Sequence, residues 1–238
     1  MIYLRSLLFS IGMGLATVVF ALLGLLTFPM PYIWRYRFII QWSAFNLWWL
    51  KICCGISYQV EGLENIPQSP AIVMSKHQST WETLAFSKIF PPQAWVLKRE
   101  LFWVPFFGWG LALLQPIAIN RGSGRKAMAS IVTQGRERLD KGRYVIVFPE
   151  GTRMAPGARG RYGIGGAVLA ESSGYPILPV AHNAGEFWPR RSFVKYPGII
   201  RVVIGPAILP QGKKAEALKQ SAEEWIENTM VRLNGIFK

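Results

Sequence analysis

Histidine and cysteine are scarce in this 238-residue chain, with two of each. Cys53 and Cys54 are neighbours, so they cannot staple distant segments, and no Cys-x-x-Cys spacing exists to hold zinc. They read as small apolar residues, compatible with a reducing cytosolic face. A Gly-x-Ser-x-Gly elbow is also lacking, and neither cysteine stands near a histidine in a nucleophile pattern. No covalent nucleophile and no metal site are therefore expected, and no repeat or low-complexity tract is present.

Acidic residues are missing from the first 60 positions, where only Arg5, Arg35, Arg37 and Lys51 are charged. The whole chain carries a formal charge of +14 and a pI near 10.1. That balance suits an anionic partner, either nucleic acid or an anionic membrane surface. The N-terminus separates these two. From Ser6 to Trp34 there is no charge at all, and Leu7 to Phe28 is almost wholly apolar, enough to cross a hydrocarbon core as a helix. The run ends in Thr27-Phe28-Pro29-Met30-Pro31 without a small-residue cleavage site, which excludes a secretory signal.

Residues 32–54 form a second expected helix, rich in Trp, Tyr and Phe and flanked by Arg35 and Arg37, a composition suited to a membrane interface. The pair could be one span plus an interfacial helix, or a hairpin dipping into one leaflet. Positive-inside bias places the remainder of the chain on the cytoplasmic face. The expected organisation is thus a membrane-associated helix pair over 1–54 and an α/β domain over 55–238.

The chain as a whole is 51% hydrophobic, ample for a buried core. Strands are expected at 56–60, 71–74, 94–97, 116–119, 144–148, 177–180 and 201–204. Helices alternate with them at 80–89, 103–114, 124–140, 162–173 and 214–234. The fold class is α/β, a mixed, largely parallel sheet flanked by helices. In such sheets the working groups gather at the carboxyl ends of strands. His77 follows the second strand, Lys98 the third, Arg121 the fourth, and Glu150 to Arg153 the fifth.

His77 precedes Glu82 by five positions, too far apart in angle to meet on one straight helix. They meet only if His77 sits in a turn and the helix starts near Ser79 or Thr80, with Glu82 in its first turn. Glu82 could then fix the tautomer of His77 and leave the other ring nitrogen free as a base. A buried structural histidine beside a helix-capping glutamate is the alternative. His182, the other histidine, reads as structural, and the C-terminal helix as a surface or packing element.

Several segments appear in the order of the glycerolipid acyltransferases: His77-x4-Glu82, Lys98-Arg99-Glu100-Leu101 with Gly108-Trp109, Ile119-Asn120-Arg121, Phe148-Pro149-Glu150-Gly151-Thr152-Arg153, and Pro176 to Val180. The chain most resembles the bacterial 1-acylglycerol-3-phosphate acyltransferases, over roughly residues 55–210. The resemblance implies that His77 and Glu82 are catalytic, with His77 as general base on the sn-2 hydroxyl of lysophosphatidic acid. It implies that Glu150, Gly151, Thr152 and Arg153 bind that acceptor, with Arg153, Arg121 and Lys98 as cations for its phosphate.

Acyl-CoA or acyl-carrier protein would be the donor, with no further cofactor. The implied place is the bacterial inner membrane, among membrane lipids and without nucleic acid. Two departures from the family pattern are visible: Glu82 replaces the usual Asp, and Gly163 stands where relatives often have Lys.

Two rival readings remain on the residues alone. Gly122-Ser123-Gly124-Arg125-Lys126-Ala127 after a strand matches the dinucleotide fingerprint of an oxidoreductase. A non-enzymatic basic protein bound to membrane surfaces would also use the charge, but leaves His77 with Glu82 and the 150–153 cluster unexplained.

Overall fold

Continuous apolar stretches with no alternation, such as Ile72-Val73-Met74 and Val145-Ile146-Val147, demand burial on both faces. They obtain it at the centre of a seven-stranded sheet. The computed structural model describes residues 1–235, apart from the side chains of Arg121 and Asn234. The strands are β1 (Ile56–Glu61), β2 (Ile72–Ser75), β3 (Gln93–Lys98), β4 (Ile117–Ile119), β5 (Tyr144–Val147), β6 (Ile177–His182) and β7 (Gly198–Ile204). Their order is β1-β7-β6-β2-β5-β3-β4. Every neighbouring pair is parallel except β6 and β7. The sheet is therefore mixed, with β1 and β7 running against the other five.

Alternate side chains of the parallel strands build two separate cores. Val73, Trp95, Leu97, Ile146 and Leu178 face one layer; Ile72, Met74, Val96, Val145 and Ile177 face the other. The second layer consists of α5 (Arg125–Asp140), α6 (Gly165–Ser173) and α8 (Ala215–Gly235). The first holds α3 (Trp81–Ile89) and, packed over it, the N-terminal helices α1 (Ile2–Leu25) and α2 (Tyr32–Cys54). Phe9, Leu50, Cys53 and Cys54 belong to the same buried cluster as Val73 and Ile146, so the helix pair shares a core with the sheet.

Within the pair, a Cβ at Gly12 would stand 2.1 Å from the Trp49 indole nitrogen, so this close crossing requires glycine. Gly55 ends α2 in a left-handed conformation, φ 69°, and turns the chain into β1. Along its outer side α1 exposes Leu4, Leu7, Leu8, Ile11, Leu15, Val19, Leu22 and Leu23. At 24 residues and mean hydropathy 2.2 it is long and apolar enough to cross a membrane.

Most expected elements are present, with local differences. The helix anticipated at 103–114 contracts to α4 (Phe107–Leu113), because Pro105 and the positive φ of Phe106, 61°, break the segment. Residues 162–164 stay outside α6, since Tyr162 turns its hydroxyl to Glu227 of α8 at 2.9 Å. A four-residue helix, α7 (Ala184–Phe187), follows β6.

Candidate functional site

The carboxyl ends of β2, β3, β5 and β6 lie side by side, and the segments leaving them converge on His77. α3 begins at Trp81, with Glu82 in its first turn, so the Glu82 carboxylate can reach back over the helix start. Its Oε1 lies 2.8 Å from His77 Nδ1 and accepts the amides of Gln78 and Ser79, each at 2.8 Å. Its Oε2 accepts the Ser79 amide at 3.1 Å, and Ser79 Oγ accepts the Trp81 amide.

Three donors and a helix N-terminus therefore meet one fully buried carboxylate. Burial pushes the Glu82 carboxyl up, but the bond from His77 and the Ser79 amide oppose it, and the carboxyl titrates below its usual 4.5. An ionised Glu82 requires the proton of His77 on Nδ1. Among the described residues, no side chain hydrogen-bonds His77 Nε2, and His77 borders the cavity described below.

The imidazole is held from its flat side too. Phe148, the residue after β5, stacks on it at 3.9 Å between ring centres and 12° between planes. The backbone of His77 is fixed at both ends: its amide donates to Glu150 Oε2 at 3.2 Å and its carbonyl accepts from Met154 N at 2.7 Å. Gly151 makes the tight turn needed here, with φ 67° and its amide on the Phe148 carbonyl.

Glu150 is turned away from the cavity. Its side chain is wholly buried, and Oε1 accepts from Lys76 Nζ at 2.8 Å and from the Gly160 amide at 3.0 Å. Lys76 Nζ also reaches Glu227 Oε1 at 2.9 Å and the Ala158 carbonyl at 3.0 Å. Glu227 takes the Tyr162 hydroxyl as well. The neighbour of His77 thus anchors α8 to the site. His182, fully buried at the end of β6, accepts the Ala184 amide on Nδ1 at 3.3 Å and contacts the Lys76 carbonyl through Nε2 at 2.9 Å. Both bonds suit a neutral ring with its proton on Nε2, and burial lowers the His182 pKa below the usual 6.5.

A cavity of about 420 Å³ opens in front of His77. Apolar walls come from the helix pair and α4: Phe20 and Ala21 of α1, Ile39 and Ile40 of α2, and Leu111 of α4. Lys98, Arg153, Arg190 and Arg191 also line the cavity, and no carboxylate does so among the described residues. The structure therefore places an imidazole with a free Nε2 in one cavity with apolar residues of the helix pair and four cations. That arrangement can deprotonate a hydroxyl on a molecule having both a long apolar tail and an anionic head.

His77, Lys98, Gly151, Thr152 and Arg153 all border this cavity, with Glu82 and Glu150 directly behind it. The side chain of Arg121 lies outside the described residues. Gly163 donates its amide to the Pro149 carbonyl at 2.8 Å.

Sequence reasoning missed Arg190, Arg191, Lys76 and Glu227. The first two lie in a loop, not at a carboxyl end of the parallel strands, and Glu227 is one charge among many on α8. Lys76 could have been noticed as a cation inside an otherwise buried strand end. The Gly122–Ala127 stretch does follow a strand with a turn and a helix, but that strand is edge strand β4 and the stretch does not line the cavity.

Comparisons with known proteins agree with this geometry. Residues 57–183 match the family model described as Acyltransferase. The chain is 47% identical to a 1-acyl-sn-glycerol-3-phosphate acyltransferase of Pseudomonas aeruginosa, covering 98% of this chain and 93% of that one. It is 27% identical to a chloroplastic acyltransferase of the same name from Brassica napus, over 95% of this chain and 67% of that one. The crystal structure of the 1-acyl-sn-glycerophosphate acyltransferase from Thermotoga maritima is similar in fold. Its TM-score is 0.79 at 23% identity, covering 97% of this chain and 95% of that one.

Proposed function

This chain belongs to the 1-acyl-sn-glycerol-3-phosphate acyltransferases, and we propose that it works by direct transfer with His77 as the base. The reaction joins a fatty acyl group to lysophosphatidate and forms phosphatidate. His77 Nε2 takes the proton of the sn-2 hydroxyl as its oxygen attacks the thioester carbonyl. The tetrahedral intermediate collapses, the C–S bond breaks, and the thiolate leaves with the proton returned from His77. Glu82 holds the tautomer and stabilises the imidazolium formed in between.

The observation that carries this reading is the 2.8 Å contact from Glu82 to His77 Nδ1 beside a cavity lined both by cations and by apolar residues of the helix pair. Lys98 and Arg153 hold the acceptor's phosphate, and the apolar walls take an acyl chain. Cys53 and Cys54 are buried in the core and do not border the cavity, which supports attack by the substrate hydroxyl itself.

The helix pair works at one leaflet. α1 uses its inner side along most of its length, from Ser6 at the 188–197 loop to Gly24 beside Leu113, leaving its outer apolar side for lipid. The positive residues Arg35, Arg37 and Lys51 favour the cytoplasmic side of the bacterial inner membrane. The test is acyl transfer by purified protein to lysophosphatidate from a CoA thioester and, separately, from a carrier-protein thioester. Phosphatidate must form with at least one donor, and His77→Ala must abolish it while the protein still floats with vesicles. Retained turnover in that variant sinks the mechanism.

A further inference from the structure

The cations of the cavity come from two parts of the chain. Lys98 ends β3 and Arg153 follows β5, whereas Arg190 and Arg191 belong to the loop between α7 and β7. That loop is bolted to α1. The Lys195 amide donates to Ser6 Oγ at 3.0 Å, and Lys195 Nζ donates to Ser10 Oγ at 3.2 Å. The same ammonium lies 5.2 Å from the ring centres of Phe9 and Trp188, which meet edge to face at 5.3 Å. Lys195 is only 4% exposed.

From this anchored base, Arg190 donates through Nη1 to the Arg153 carbonyl. Arg191 is held at φ 58°, a left-handed conformation that strains a residue with a Cβ. Both arginines are exposed and border the cavity of His77. Among the described residues, nothing acidic lines that cavity.

We propose that Arg190 and Arg191 complete a site for a phosphate monoester, so that the enzyme selects lysolipids with a terminal phosphate over neutral and zwitterionic ones. The proposal rests on the acyltransferase reading above and extends its acceptor site. A phosphate monoester carries about −1.5 to −2 charges near neutral pH and three free acceptor oxygens, more than a phosphodiester or a bare glycerol offers. One guanidinium saturates two of those oxygens, so a dianion gains from further forks. The anchor on α1 ties these forks to the helix whose outer side is apolar. A lipid acceptor, rather than the donor's phosphates, is therefore the occupant.

The test uses full-length enzyme with mixed-micelle substrates and the variants Arg190→Ala, Arg191→Ala, Arg191→Gly and both Arg→Lys changes. Each alanine variant is expected to raise KM for lysophosphatidate about tenfold or more. KM for acyl-CoA stays where it was, and the preference for lysophosphatidate over monoacylglycerol falls by a similar factor. Arg191→Gly, which removes charge and backbone strain together, matches Arg191→Ala, and the lysine variants recover part of the loss. A rise in donor KM with acceptor KM unmoved overturns the proposal, as does no change in either. A wild-type enzyme that fails to acylate lysophosphatidate at all would instead overturn the acyltransferase reading.

Discussion

Glu150 binds the backbone of His77 rather than the cavity: its Oε2 accepts the His77 amide at 3.2 Å while its Oε1 takes Lys76 Nζ at 2.8 Å. Lys76 and His77 leave the chain toward opposite faces of the sheet, the lysine to α8 and the histidine to Phe148. One buried carboxylate thus fixes both. Glu150→Gln keeps a single acceptor oxygen and loses one of these two grips. We expect kcat to fall with KM for lysophosphatidate within about twofold, because an interaction made only behind the base does not alter ground-state binding. A tenfold rise in KM with kcat preserved would return Glu150 to the acceptor site that the family resemblance implies.

Lys76→Met leaves two carboxylates buried without their cation, since Glu150 is fully buried and Glu227 only 16% exposed in its side chain. Breaking such a cluster costs about 3–5 kcal/mol, which at roughly 2–4 °C per kcal/mol for a chain of this size lowers Tm by about 10 °C. Adding Glu227→Leu should recover part of that loss. If the double variant is no more stable than Lys76→Met, Glu227 is not the residue left uncompensated.

Glu82 meets His77 only because α3 starts at Trp81 and the longer side chain folds back over that start. Glu82→Gln can still accept at its oxygen but no longer stabilises an imidazolium, and kcat should fall on the order of 10²- to 10⁴-fold. Glu82→Asp withdraws the carboxylate by one methylene while the helix start stays where it is. Near a base, a displacement of this size costs about 10²-fold. Turnover of the aspartate variant within a factor of three of wild type would show that the helix start adjusts.

The alternation of apolar runs with helical stretches made the sheet legible, and the strand ends made His77, Lys98 and Arg153 legible as neighbours. What escaped was whatever depends on long-range packing. Glu227 reaches Lys76 across 151 positions, and Lys195 reaches Ser6 across 189. No local pattern encodes either contact. The antiparallel β6–β7 pairing is hidden for the same reason, since strand direction follows from where the connection packs. The break of α4 at Phe106 was nearer the surface of the sequence, because Pro105 already disfavours a helix through that point.

Gly110 borders the cavity from α4, and a Cβ there would meet nothing within 4 Å. Gly110→Leu should therefore fold and fill cavity space with side chain. Each methylene of substrate excluded from apolar burial forfeits about 0.8 kcal/mol. The variant should shift preference toward donors several carbons shorter, read as kcat/KM across a series of acyl-CoA lengths. An unaltered length profile would place the acyl chain elsewhere.

The buried imidazole of His182 gives the fold an acid sensitivity that can be isolated. In the fold the ring stays neutral, because burial lowers its pKa below 6.5 and both nitrogens are engaged by Ala184 and Lys76. In the unfolded chain it protonates as pH falls through about 6.5. The unfolded state then binds more protons, so stability is complete above that pH and is lost as pH falls below it. Glu82 adds a second loss in the same direction at lower pH, since its carboxyl titrates below 4.5 in the fold and must be protonated to unfold the site in acid. Thermal melts of wild type between pH 7.5 and about 5 should slope downward toward acid. His182→Gln, which keeps a donor for the Lys76 carbonyl but cannot take up a proton, should flatten that part of the curve and leave the fall below about pH 4.5 in place. An identical slope in both proteins would mean that another group, not His182, carries the acid response.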